Sequence, residues 1–221
     1  MIVDVKHLLF FHFMGGIVLK KKKMGLVIAF MIIVIIGIVC FLFFSKKTAK
    51  NLKIGNNTSS QEIVDFILNI SSYETEIEVE VQSNKNQNRY RLKQQYKSPD
   101  TIEQEVIEPS NIAGFKMSKN GNQLKIENTN LKLSSIFENY EYVADNVLDL
   151  NCFIQNYQSD EKASWREENN QIIMTTKQEH AEKKLWIDRS TGKPKKMEIK
   201  WTNKNTTVYI LYKEVNINTL Q

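Results

Sequence analysis

Apolar and polar side chains alternate along most of the chain after residue 60, and the alternation can be read strand by strand. In "YETEIEVEVQSNKNQNRYRLKQQYKSPD" the two halves lie antiparallel around a turn at Lys85-Asn86. Val81 then meets Tyr90, Val79 meets Leu92, Ile77 meets Gln94 and Thr75 meets Tyr96 on one face. On the other face Glu80 meets Arg91, Glu78 meets Lys93, Glu76 meets Gln95 and Glu74 meets Lys97. One face is largely apolar, the other mostly of complementary charge. A slip by one residue would exchange the faces and lose this match.

The C-terminal end reads the same way. Met197 opposes Tyr212, Ile199 opposes Ile210 and Trp201 opposes Val208 across a turn at Lys204-Asn205. Residues 183–188 add a third strand through the turn containing Gly192 and Pro194. Between the two ends "TIEQEVIEP", "GFKMSKNG", "NQLKIENTN" and the more ambiguous "LKLSSIF" are short alternating runs. Pro109, Asn120-Gly121 and Asn128-Thr129-Asn130 punctuate them. Further strands are expected near 162–167 and 171–178.

Two stretches change period. "SSQEIVDFILNI" starts with Ser59 or Ser60 as N-cap and Glu62 in the first turn, and carries Ile63, Phe66, Ile67 and Ile70 at helical spacing. "VADNVLDLNCFIQNY" places Val143, Val147, Leu150 and Ile154 on one stripe, with Cys152 and Phe153 beside it. The expected class is α+β, mainly β: a curled antiparallel sheet of about 9–11 strands, a half-barrel covered by two or more helices.

The first 44 residues follow another rule. "MGLVIAFMIIVIIGIVCFLFF", residues 24–44, is free of charge and about as long as the roughly 20 residues that cross a bilayer. It reads as an uncleaved transmembrane helix. Lys20–Lys23 form the tighter basic cluster, so the N-terminus is expected inside and the C-terminal domain outside the cytoplasm. Residues 1–23 form a doubtful leader and basic flank, with translation expected to start at Val18, Leu19 or Met24. Residues 45–58 are a polar linker and 59–221 the exported domain. Cys40 is the one lipidation candidate, and a poor one: Val39 stands where a small residue is needed, and the apolar run continues past the cysteine.

Charge then takes on a different meaning. The chain carries +5, but five lysines and one aspartate lie in the first 44 residues, which leaves the domain nearly neutral. A basic nucleic-acid surface is excluded on that ground. Cys152 is alone in the domain, is expected to have no positive residue nearby to lower its pKa, and reads as a small core side chain. His180, in "KQEHAEKK", reads as a surface loop residue. No G-x-S-x-G, phosphate loop or Cys-x-x-Cys is present, and Ser134 and Ser135 lack a histidine or lysine pattern. Glu74 to Glu80 read as a solvated charged strand. No catalytic residue, cofactor or metal ligand is expected.

Four strings, "SNKNQNRYRLKQQYKSPD", "EVIEPSNIAG", "LKIENTNLKLSSIFENYEYVADNVLDL" and "LWIDRSTGKPKKMEI", resemble the GerS-related family of clostridial germination lipoproteins. The likeness covers roughly residues 60–218. It implies a LolA/LolB-like fold, no catalysis, and a role in sporulation and germination as scaffold or activator of an N-acetylmuramoyl-L-alanine amidase of the CwlD type. That zinc enzyme removes peptide from muramic acid so that muramic lactam can form in the cortex. The chain departs from the family in its lipobox. The alternatives are LolA-like binding of lipid or lipoprotein acyl chains on the concave face, or an envelope sensor domain. Val79, Val81, Tyr90, Leu92, Ile199, Trp201 and Ile210 are the candidate apolar face. The expected location is the cell membrane, single-pass, with the domain between mother cell and forespore. The long sheet edges leave room for a homodimer.

Overall fold

The computed structural model describes residues 58–138 and 148–218, all within the unit Ala49–Gln221. Residues 24–44, and Cys40 with them, lie outside the described residues. Among those described, no helix is long and apolar enough to cross a membrane.

Helix α1, Ser60–Leu68, begins where the sequence places it. Ser59 is the N-cap: its hydroxyl accepts from the Glu62 amide at 3.2 Å, while the Ser59 amide donates to the Glu62 carboxylate at 2.7 Å. This reciprocal pair satisfies two donors that a helix start leaves open. Ile63, Val64 and Ile67 are buried. Helix α2, Leu150–Ser159, is capped by Asp149 and buries Leu150, Phe153 and Ile154. Val143 and Val147, expected on the same stripe, lie outside the described residues.

The strands are β1 Ser72–Gln82, β2 Gln87–Lys97, β3 Thr101–Glu108, β4 Phe115–Asn120, β5 Gln123–Asn128, β6 Leu133–Phe137, β7 Ser164–Glu168, β8 Gln171–Gln178, β9 Ala181–Asp188, β10 Pro194–Trp201, β11 Thr206–Tyr212 and β12 Asn216–Ile217. They form one curled sheet in the order β6-β5-β4-β3-β2-β1-β11-β10-β9-β8-β7, with β12 also on β1. Its pairs are antiparallel. The ambiguous "LKLSSIF" is β6, and the two-residue β12 takes the number of strands to 12, one above the expected range.

Both hairpin registers differ from expectation by two residues. In β1–β2, Ile77 faces Leu92, Val79 faces Tyr90, Thr75 faces Gln94 and Tyr73 faces Tyr96. On the other side Glu80 faces Arg89, Glu78 faces Arg91, Glu76 faces Lys93 and Glu74 faces Gln95. The turn is one residue earlier, on Asn84-Lys85, braced by Ser83 N–H donating to Asn86 O at 3.0 Å and by Asn86 N–H donating to the Ser83 hydroxyl at 3.2 Å. Ile77 thereby meets Leu92 instead of Gln94, and Gln94 meets Thr75, which places like with like. In the meander Met197 faces Ile210, Ile199 faces Val208 and Trp201 faces Thr206, with Asn205 at φ 44° in the turn. A two-residue slip keeps every side chain on its expected face, so the core survives the correction.

The turn between β9 and β10 is built as read. Asp188 accepts from Ser190 N–H at 2.9 Å and Thr191 N–H at 3.0 Å, and Gly192, at φ +64°, donates to Asp188 O at 2.7 Å. Only a residue tolerant of the left-handed region suits that last position. The helices pack on one face of the sheet, where Ile77, Leu185, Ile187, Met197, Ile199 and Ile210 are fully buried with Ile63, Ile67 and Leu150. Each such aliphatic contributes about 1.5–3 kcal/mol by leaving water.

Candidate functional site

The seven candidate apolar-face residues fall in or against the core cluster. Val79, Leu92, Ile199 and Ile210 are buried in the core beneath the helices, and Val81, Tyr90 and Trp201 are half-buried at its margin. The face is occupied by the protein's own helices over β1, β2 and β8–β11.

A polar row crosses the same face. Thr75, Gln94 and Gln104 are buried side by side, and Gln94 donates to Leu148 O at 3.1 Å. Beside the row, the Tyr73 hydroxyl donates to the buried Asp149 carboxylate and accepts from Leu150 N–H at 3.3 Å. Burial pushes the Asp149 carboxyl up, opposed by the hydrogen bonds from Tyr73 and the start of α2. It also pushes the Tyr73 phenol well up, helped by the charge of Asp149.

Cys152 is buried as expected, but the reading that it has no cation near it fails. Lys183, 3% exposed, brings its ammonium to 3.6 Å from Sγ and donates to Asn156 Oδ1. Lys183 is 31 positions away and reaches the cysteine only because β9 runs beneath α2. His180 stands in the turn between β8 and β9, exposed and 3.6 Å from Glu179. Ser134 and Ser135 lie on exposed β6. Among the described residues no group of three His, Cys, Asp or Glu is placed to hold a metal ion.

The opposite face carries a groove of about 970 Å³ lined by Glu78, Glu80, Arg89, Arg91, Tyr209 and Leu211, with Pro109 and Ser110 at its border. Its charges are paired: Glu80 with Arg89 at 3.0 Å, Glu108 with Arg91 at 2.7 Å, and Glu78 with Lys213 at 3.1 Å. Glu80 is held below the usual carboxylate range, first by the Gln82 amide. Lys196, also on the groove, lies 4.7 Å from the ring centres of both Trp186 and Tyr209. The glutamate row is therefore an outward charged face, as read; Glu80 pairs with its register partner Arg89, whereas Arg91 reaches Glu76 and Glu108 and leaves Glu78 to Lys213.

A third surface was not anticipated. Beyond the row Ile77, Leu92, Val106, and one residue past the last β3–β4 pair Glu105–Lys116, the row Phe115, Asn128, Leu133 crosses β4–β6. Ile77 and Leu92 are buried and Val106 is half-buried, but Phe115 is 43% and Leu133 64% exposed. Ile112 and Leu131, in the adjoining loops, are exposed as well. The sequence signal was present in "NIAGF" and "NLKL", whose apolar residues fall in or beside turns.

Residues 21–220 match the family model for sporulation protein YdcC-like. The chain belongs to the YdcC-like sporulation protein family. No curated protein matches it. Among solved structures, this family member is similar to a chain of the Clostridioides difficile CwlD amidase in complex with the GerS lipoprotein, at 22% identity over 76% of this chain and 98% of that one, TM-score 0.41. It is similar to a LolA superfamily protein from Nitrosomonas europaea at 12% identity over 74% and 96%, TM-score 0.39. A third similar structure is a DUF1329 family protein from Desulfovibrio piger, at 9% identity over 71% and 90%, TM-score 0.45.

Proposed function

We propose that this YdcC-like protein is a non-catalytic, membrane-anchored scaffold that binds and activates a cell-wall amidase of the CwlD type during sporulation, with residues 59–221 exported. Membership in a sporulation family supports the setting. The observation that carries the binding role is the set of exposed large apolar side chains on β4–β6 among the described residues, since soluble domains rarely leave such side chains together in water without a partner. The paired charges of the outer groove suit a solvated flank better than a reaction centre.

Affinity purification of the full chain from sporulating cells is expected to retain an amidase, and a strain lacking the chain is expected to make cortex depleted in muramic lactam. Recovery of no amidase together with normal lactam would sink the reading. The second reading, acyl-chain binding on the concave face, is favoured by the continuation of that face through Phe115 and Leu133 beyond the helices. It predicts lipid co-purifying with the full chain after exchange into an amphipathic polymer and detected by native mass spectrometry. The buried polar row Thr75, Gln94 and Gln104 beneath that route counts against it.

A further inference from the structure

We infer that the partner docks on a rigid two-loop tip built from residues 109–115 and 128–133, rather than along the length of β6. This rests on the scaffold reading above. The loops that join β3 to β4 and β5 to β6 emerge at one end of the sheet and are stitched together. Thr129 donates to Gly114 O from its amide at 2.8 Å and from its hydroxyl at 3.1 Å, and the Asn130 amide group donates to Ala113 O at 2.7 Å. Leu131 N–H donates to Asn128 Oδ1 at 3.0 Å, and Gly114 N–H to Val106 O at 2.9 Å.

Gly114 sits at φ +81°, and a Cβ there would lie 2.7 Å from both Asn130 Nδ2 and Thr129 Oγ1. Glycine is the residue that permits this seam. The seam ties together the segments that carry Ile112, Phe115, Leu131 and Leu133, at 38%, 43%, 66% and 64% exposure. A cluster fixed before binding loses little freedom on docking, which is what makes a small apolar set an effective anchor.

Two observations select the occupant. The chain enters the domain at Thr58, whose carbonyl accepts from Arg189 in the β9–β10 turn. By the strand registers that turn lies at the end of the sheet opposite the tip, so the described chain begins away from it. Lys132, at φ 53°, stands between the two most exposed leucines. The tip therefore fits an amidase surface with an apolar hollow and a carboxylate on its rim.

The test uses the full chain in nanodiscs and the purified amidase, with affinity read by biolayer interferometry. Leu131→Asp with Leu133→Asp is expected to weaken binding at least about tenfold, the size of loss seen for anchor residues, with an unchanged unfolding midpoint. Gly114→Ala, which opens the seam and keeps the leucines, is expected to weaken it as well. A polarity-sensitive dye on Leu131→Cys is expected to shift to the blue when amidase is added. Amidase binding by wild type and both variants alike overturns the tip alone; no binding by wild type overturns the scaffold reading and the tip with it. A blue shift before amidase is added assigns the tip to lipid, and dimers of the wild type that the leucine variant dissolves assign it to a second copy; either overturns the proposal.

Discussion

Lys183 illustrates what one buried cation demands. Its ammonium has left water and is held by Asn156 Oδ1 and Cys152 Sγ, so the cost of breaking the pair differs from the cost of removing the charge. Asn156→Leu leaves the ammonium without its oxygen and is expected to lower stability by about 3 kcal/mol. Lys183→Met removes the charge while keeping the volume and is expected to match the wild type or exceed it. Urea unfolding of both variants checks the asymmetry; equal losses would show that Lys183 contributes only packing. Asp149 poses a related problem with a pH signature. Its folded carboxyl is raised by burial, so the folded state holds the proton more tightly than the unfolded one. The stability from that proton is present below the ordinary carboxylate range, near 4, and is lost as pH rises through the folded value. Asp149→Asn, which can still cap α2 and accept from Tyr73, is expected to abolish this decline; unfolding midpoints measured from pH 4 to 8 decide. Asp160 and Asp188, both held low by hydrogen bonds, act with the opposite sign, losing their contribution on acidification.

At the scale of elements, the start of α1 shows a signal that needs no tertiary context. Ser59 and Glu62 are three residues apart and cap each other, and Ser59→Ala is expected to cost about 1 kcal/mol in denaturant unfolding. Strand parity was equally readable, because alternation has a period of 2 and assigns each side chain to a face. Register was not. Alternation is unchanged by a slip of two, and the choice between Ile77 facing Leu92 or Gln94 depends on which residues the turn accepts. Ser83 and Asn86 settle it through their side-chain and backbone hydrogen bonds. The meeting of Lys183 with Cys152, and of Thr129 and Asn130 with Ala113 and Gly114, depends on tertiary packing and strand order. No spacing rule along the chain reveals them. Val79, Leu92, Ile199 and Ile210, read as one face from the alternation, lie in the core cluster with Ile63 and Ile67 of α1 and Leu150 and Phe153 of α2.

The whole sheet consists of two local meanders, β2–β6 and β7–β11, which meet on β1. Within each meander a strand pairs with its neighbour in sequence, but β1 pairs with β11, so Ile77 waits for Tyr212 and Val79 for Ile210. A chain ending after Asn205 keeps most hairpins and loses β11 and β12. It is expected to show strand content by circular dichroism without a cooperative thermal transition; a sharp transition would show that β2–β6 or β7–β10 folds by itself. The β1–β11 joint also sets an order of events. As the chain is made from its N-terminus, β1 is among the first strands to appear and β11 among the last, and closing so long a loop is slow relative to forming hairpins. Throughout synthesis β1 therefore has one free edge and a row of Ile77, Val79 and Val81 that only α1 is available to cover, which makes it the segment a chaperone would have to shield until the final strands arrive.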